Sequence, residues 1–236
     1  MLIEQELKTE EKIIAEKIKS IPQGTNGEIP VLDGIIDIEK YLNPKTKYKI
    51  LWVLKEANYG KDPQKNYWDM LDFYRTATEV KIKESPTTKR VLLASHRILS
   101  DLSPIEAFRS IAYININKIA GYEKSNDRKI QTAYNKNKCL LLKQIKTYKP
   151  DIIICGNTLH YFENELNFRQ GESRSIGMKQ RNYFCMQDRL YINAYHPAEW
   201  RRINDKKYCD KIFEAFSFWK KEYKSNVLRE LPAGAH

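Results

Sequence analysis

A chain of 236 residues is ample for a core of several strands covered by helices on both faces, and it fits a single domain. Its 42% hydrophobic and 11% aromatic content excludes wholesale disorder, and no apolar run approaches the roughly 20 residues needed to span a bilayer. The formal charge of +11, from 41 basic against 30 acidic residues, favours a polyanionic partner through phosphate neutralisation, with nucleic acid first and simple solubility as the competing explanation. The opening residues Met1 to Lys8 mix both charge signs and lack the apolar stretch of a secretory signal, so a cytoplasmic location is expected. Cys139, Cys155, Cys185 and Cys209 form no C-x-x-C pair and read as buried free thiols, not as metal ligands.

In chain order, Ile3, Leu7, Ile13, Ile14 and Ile18 suit an exposed amphipathic helix, an N-terminal extension of about residues 1–20 that Pro22 and Gly24 end. Tyr48 to Leu54 is a short apolar run ending at a polar loop, as a buried parallel strand would. Helical patterns follow around Trp68 to Tyr74 and around Arg90 to Leu102. Ser103-Pro104-Ile105-Glu106 then predicts a third helix start, with a cap serine, proline at the first position and glutamate three after the cap.

Ile111 to Lys118 alternates, placing Ala112, Ile114 and Ile116 on one face and Tyr113, Asn115 and Asn117 on the other. After the charged loop Glu123 to Lys129, a basic amphipathic helix reaches Tyr148 and stops at Pro150. Asp151 to Asn157 reads as a second buried strand, and Thr158 to Leu166 as a helix. Tyr183 to Met186 and Leu190 to Ala194 form a hairpin that delivers Tyr195-His196-Pro197. A last helix carries Tyr208, Ile212, Phe216, Trp219 and Tyr223 as core. The alternation predicts a three-layer α/β/α sandwich with a central, mainly parallel four-stranded sheet, whose sites form at the carboxyl ends of the strands.

Three segments at those ends carry the chemistry: Lys55-Glu56-Ala57-Asn58-Tyr59-Gly60, Tyr113-Ile114-Asn115-Ile116-Asn117-Lys118 and His196-Pro197-Ala198-Glu199-Trp200. In order and spacing this series resembles the uracil-DNA glycosylase superfamily, whose members carry a G-E-A-P-G or G-Q-D-P-Y motif, a base-reading asparagine before a lysine-containing loop, and an H-P-S-P or H-P-A motif. The span Cys139 to Leu159 also resembles the branch found in thermophiles, and the likeness covers roughly residues 48 to 215.

The resemblance implies a DNA glycosylase that flips a pyrimidine out of DNA and hydrolyses its bond to deoxyribose, leaving an abasic site. It assigns Glu56 to the carboxylate that orients water or faces the sugar cation and His196 to the donor for the base carbonyl, while Asn58, standing where the family has proline, is itself able to hold a water through its amide. It assigns Asn115 to reading the base edge and Tyr59 to walling or stacking in the pocket. Trp200 falls where the family wedges an apolar residue into the base stack, Arg201 and Arg202 follow as phosphate contacts, and Asn157 resembles another such contact. Asn157 as a turn residue, Asn115 as a satisfied strand-end amide and Glu56 as an exposed loop carboxylate are the plainer alternatives.

Lys55 replaces the family glycine and Asn58 its proline, so a modified pyrimidine is an expected substrate alongside uracil, including a hypermodified phage cytosine removed as a defence. Base-excision repair is the other setting. Only Cys139 falls where the thermophile branch has a cysteine of its iron-sulfur centre, so no cofactor or metal is expected. The expected partner is DNA, with no membrane, for a monomeric chain. The competing classes are a nucleic-acid-binding protein of the same fold without catalysis and a nuclease, for which paired carboxylates at metal-ligand spacing are not evident.

Overall fold

The computed structural model describes residues 2–25, 27–58, 66–121, 126–166, 172–179, 181–186, 189–199 and 201–224. In chain order these form α1 (Leu2–Lys19), β1 (Val31–Leu32), β2 (Gly34–Ile35), α2 (Ile38–Tyr41), β3 (Ile50–Leu54), β4 (Trp68–Asp69), α3 (Met70–Thr76), α4 (Glu79–Glu84), α5 (Pro86–Ile98) and α6 (Pro104–Arg109). Then come β5 (Ala112–Asn115), α7 (Asp127–Tyr148), β6 (Ile152–Gly156), β7 (Glu172–Ser175), β8 (Asn182–Met186), β9 (Arg189–Ala194) and α8 (Asp205–Trp219).

The main sheet is mixed and seven-stranded, in the order β2-β5-β3-β6-β9-β8-β7, where four strands were expected. The four expected strands are its parallel centre, β5-β3-β6-β9. β2 adds antiparallel to β5, and β8 and β7 add antiparallel beyond β9. β8 is the first strand of the expected hairpin, whereas β2 and β7 were hidden for physical reasons: β2 is two residues long, and β7 reads Glu-Ser-Arg-Ser, with no apolar alternation to betray a strand. β1 and β4 make a separate two-stranded pair.

β3 is buried at every residue because both faces of the sheet are covered. Ile50, Trp52 and Leu54 pack into one apolar cluster with residues of α5, α6 and α8, while Leu51 and Val53 pack into another with residues of α1 and α7. The predicted faces of β5 divide the same way, Tyr113 into the first cluster and Ala112, Ile114 and Ile116 into the second. The α6 start carries the expected capping box, with Ser103 N–H donating to Glu106 Oε2 at 3.1 Å.

Three local expectations need correction. The N-terminal helix is not simply exposed: Leu7, Ile14 and Ile18 are buried in the second cluster, and only Ile3 and Ile13 among the five face solvent. The stretch after β6 forms a short 3-10 turn, Leu159–Phe162, and not a helix to Leu166. Cys139 is exposed on α7, whereas Cys155, Cys185 and Cys209 are buried. Of the last helix, Tyr208, Ile212, Phe216 and Trp219 are buried as expected, and the Tyr223 side chain lies outside the described residues. No described helix is long and apolar enough to cross a membrane.

Candidate active site at the strand ends

The chain leaving β3 is zipped to the chain leaving β5. Ile116 N–H donates to Leu54 O at 2.9 Å, Asn117 N–H to Lys55 O at 2.8 Å and Gly121 N–H to Ala57 O at 2.8 Å, and Asn58 bridges Gly121. This pairing carries the sheet past its last regular residues and holds the Glu56 backbone still. The Glu56 side chain is partly buried, and its Oε2 accepts from Asn117 Nδ2 at 3.2 Å. It lies directly over Gly121, where a Cβ would stand 2.3 Å from the carboxyl carbon, so only glycine leaves room for the carboxylate in this pose. Asn58 is exposed. Tyr59 and Gly60 lie outside the described residues.

Asn115, the last residue of β5, is fully buried. Its backbone N–H donates to Asp33 Oδ2 at 2.7 Å, yet neither Oδ1 nor Nδ2 of its side chain has a partner among the described residues. Leaving a buried amide unpaired costs about 1–3 kcal/mol, and among the described residues nothing offsets that cost. The amide carries one acceptor and two donors.

Behind Asn115 lies a buried polar network. Lys118 Nζ sits 2.7 Å and 2.8 Å from the two oxygens of Asp33 and donates to Gln144 Oε1 at 2.8 Å. Gln144 Nε2 in turn donates to Asp33 Oδ1 at 3.0 Å and to the Tyr148 hydroxyl at 3.2 Å. Glu11 of α1 closes the network beside Tyr148; burial pushes its carboxyl up to about 7, against the pull of the Tyr148 hydrogen bond. Burial also pulls the Lys118 ammonium below its usual range, opposed by Asp33.

The third segment enters from β9. Gly156 ends β6 where a Cβ would meet Leu54 Cδ2 at 2.4 Å and Pro197 Cδ at 3.0 Å, so its lack of a side chain lets His196-Pro197 cross the strand end. Asn157 then adopts the left-handed conformation, φ 62°, and donates its N–H to Ala194 O at 2.9 Å. It is the turn that ties β6 to β9, a conformation asparagine tolerates better than most residues.

His196 is partly buried, and its Nδ1 accepts from the Ala198 N–H at 3.2 Å. In the neutral ring the proton therefore belongs on Nε2, which is left as a donor. Burial, and then the nearby charge of Lys55, lower the His196 pKa to about 4, so the ring is neutral at pH 7. Lys55, with only 12% of its side chain exposed, is held 2.7 Å from Asp127 at the start of α7. Its charge also acts with burial to lower the pKa of His160, an exposed residue beyond β6.

The loop after His196 is fastened from below by Arg90, a residue whose role the sequence did not reveal. Arg90 is buried; Nε pairs with Asp205 Oδ1 at 2.7 Å, Nη1 donates to Glu199 O at 3.2 Å, Nη2 donates to Ile203 O, and the guanidinium lies over Tyr208. The available signal was an arginine heading an otherwise apolar helix face. Arg201 and Arg202 are exposed, and Trp200 lies outside the described residues.

The structure thus brings Glu56, Asn115, Asn157 and His196 to one edge of the sheet, joined by backbone pairing and by the close passage at Gly156. Asp33 and Gly121 are supporting residues outside every motif, and Lys118 and Gln144, which lie within the quoted segments, prove to support the site from behind. Comparison of the chain with protein-family models and with curated proteins returns no match to either.

Proposed function

We propose that this chain is a DNA glycosylase with a fold of the uracil-DNA glycosylase kind, a three-layer sandwich around the parallel centre of the sheet. The observation that carries the reading is the Asn115 amide, fully buried at a strand end with both polar atoms unpaired among the described residues. A flipped pyrimidine presents a donor and an acceptor on its pairing edge, the complement of one amide.

The other groups supply the remaining chemistry. Glu56 accepts a proton from the attacking water as the water oxygen bonds to C1′ of the sugar and the glycosidic electron pair leaves with the base. Charge then grows on the base carbonyl, and the Nε2–H of neutral His196 donates to it, a fixed donor needing no proton uptake from solvent. Asn58, exposed and two residues after Glu56, has an amide that can hold the water. The charge of +11 suits a phosphate-rich substrate. Because Lys55 and Asn58 alter the first motif, the substrate class is a uracil or modified pyrimidine, removed in repair or as a defence against phage with hypermodified cytosine.

The test is incubation with DNA carrying uracil, other lesions or phage modifications, followed by detection of alkali-labile sites. Abasic product from wild type and none from Glu56→Ala or His196→Ala supports the reading. Salt-dependent binding without product from any substrate favours a catalytically inactive DNA-binding protein, and cleavage abolished by a chelator favours a nuclease.

A further inference from the structure

Two arginines from separate parts of the chain close on one aromatic ring beside His196. Tyr195, the residue before it, is buried and held at two points: its hydroxyl donates to Lys179 O at 3.1 Å, and its carbonyl accepts from the Tyr208 hydroxyl at 2.9 Å. Arg181, which ends the turn between β7 and β8, places its guanidinium carbon 4.9 Å from the Tyr195 ring centroid. Arg202, from the loop after His196, lies 5.6 Å from the same centroid.

The two cations are poorly neutralised. Arg181 forms no ion pair among the described residues, and its Nε is buried without a hydrogen-bond partner. Among the described residues Arg202 is paired with the Glu199 carboxylate alone, with Oε2 at 3.8 Å. Burial holds Arg181 below its usual pKa and the charge of Arg202 adds to that, while Tyr195 opposes it. Lys179, in the same turn as Arg181, is exposed. Like charges converging on one ring repel each other, an anion between them offsets that repulsion, and a guanidinium presents its N–H donors in a fork that fits phosphate. The turn itself is built to hold this place: Ile176 N–H donates to Arg181 O at 3.3 Å, and Arg181 N–H to Met178 O at 3.0 Å.

We propose that Arg181 and Arg202 together bind one phosphodiester group of the strand that carries the reacting nucleotide, next to His196. This rests on the glycosylase reading, and it adds a contact from the β7–β8 turn that none of the three motifs contains. Gripping the backbone beside the flipped residue sets the register of the strand, so that Asn115 and His196 meet one nucleotide and not its neighbour.

The test is equilibrium binding of the full chain to an oligonucleotide, single-stranded and duplex, holding one tetrahydrofuran abasic analogue that cannot be hydrolysed. Affinity is read against salt, so binding is measured without catalysis. The double variant Arg181→Gln/Arg202→Gln is expected to flatten the salt dependence by about 0.9 in log–log slope, the loss of one phosphate contact on duplex DNA, and each single variant by less than that. Arg181→Lys is expected to recover the slope but only part of the affinity. One neutral methylphosphonate beside the analogue is expected to weaken wild type most, Arg181→Gln and Arg202→Gln less, and the double variant not at all.

An unchanged slope in the double variant, or a methylphosphonate penalty equal in wild type and the double variant at every position, overturns the proposal while leaving DNA binding intact. Competition by inorganic phosphate at constant ionic strength, with no dependence on methylphosphonate position, overturns it in favour of a free-phosphate site. Failure of wild type to bind any of the DNA overturns the glycosylase reading as well.

Discussion

Lys118 and Asp33 meet in the interior with neither side chain exposed, Nζ 2.7 Å from Oδ1, and the other oxygen of the same carboxylate takes the Asn115 backbone N–H at 2.7 Å. A buried pair of this kind gains little over apolar residues of the same volume, but losing one partner strands a charge. Lys118→Met is therefore expected to cost about 3–5 kcal/mol, read as a shift in the denaturant midpoint. Adding Asp33→Asn to it is expected to restore much of that stability. A double variant no more stable than Lys118→Met contradicts this account of the pair.

The neutral state of His196 depends on burial and on Lys55. Lys55→Met is expected to raise the His196 pKa from about 4 toward its usual 6.5, visible in the imidazole NMR shifts on titration. In wild type the unfolded chain binds the proton first as pH falls, so stability is expected to decline between 6.5 and about 4 and to level below that. His196→Gln removes this decline. A titration of His196 near 6.5 in wild type contradicts the assignment of the neutral ring as donor.

Glu11 works in the opposite sense. Its carboxyl is raised to about 7 from 4.5, so the folded state keeps a proton that the unfolded chain has lost, and stability falls as pH rises through that window. Glu11→Gln is expected to raise stability by on the order of 2 kcal/mol at about pH 8 and to have little effect at about pH 4. Melting curves at the two pH values check it; equal effects at both count against a protonated Glu11.

Gly156 tests the crossing of His196 over β6. Alanine there meets Leu54 and Pro197, so Gly156→Ala is expected to cost about 1–3 kcal/mol and to lower turnover by roughly 100-fold through displacement of His196. Steady-state kinetics beside a melting curve separates the two, and full activity in a folded variant contradicts the crossing.

Much of this architecture is legible in the sequence where burial is two-sided or periodic. Ile50 to Leu54 and Ile152 to Cys155 read as apolar runs because helices cover both sheet faces, and α8 shows its spacing in Tyr208, Ile212, Phe216 and Trp219. β2 and β7 were not legible, since a two-residue strand and the polar Glu172–Ser175 owe their pairing to neighbours and not to their own pattern. In the site, Glu56, Asn115 and His196 stand out by motif. Asp33 and Gln144 do not, because their partners are 85 and 26 residues from them in the chain, at Lys118. Arg181 and Arg202 converge on Tyr195 only through the fold of the β7–β8 turn.

The most direct measurement is single-turnover release of free base, detected by mass, from DNA carrying uracil or hypermodified cytosine, with wild type set against Asn115→Ala. The account expects wild type to release the base and to leave an abasic site, and Asn115→Ala to release it at least 100-fold more slowly, since its buried amide is then gone from the base edge. Release by Asn115→Ala at the wild-type rate, or no base released by wild type from any of these substrates, contradicts it.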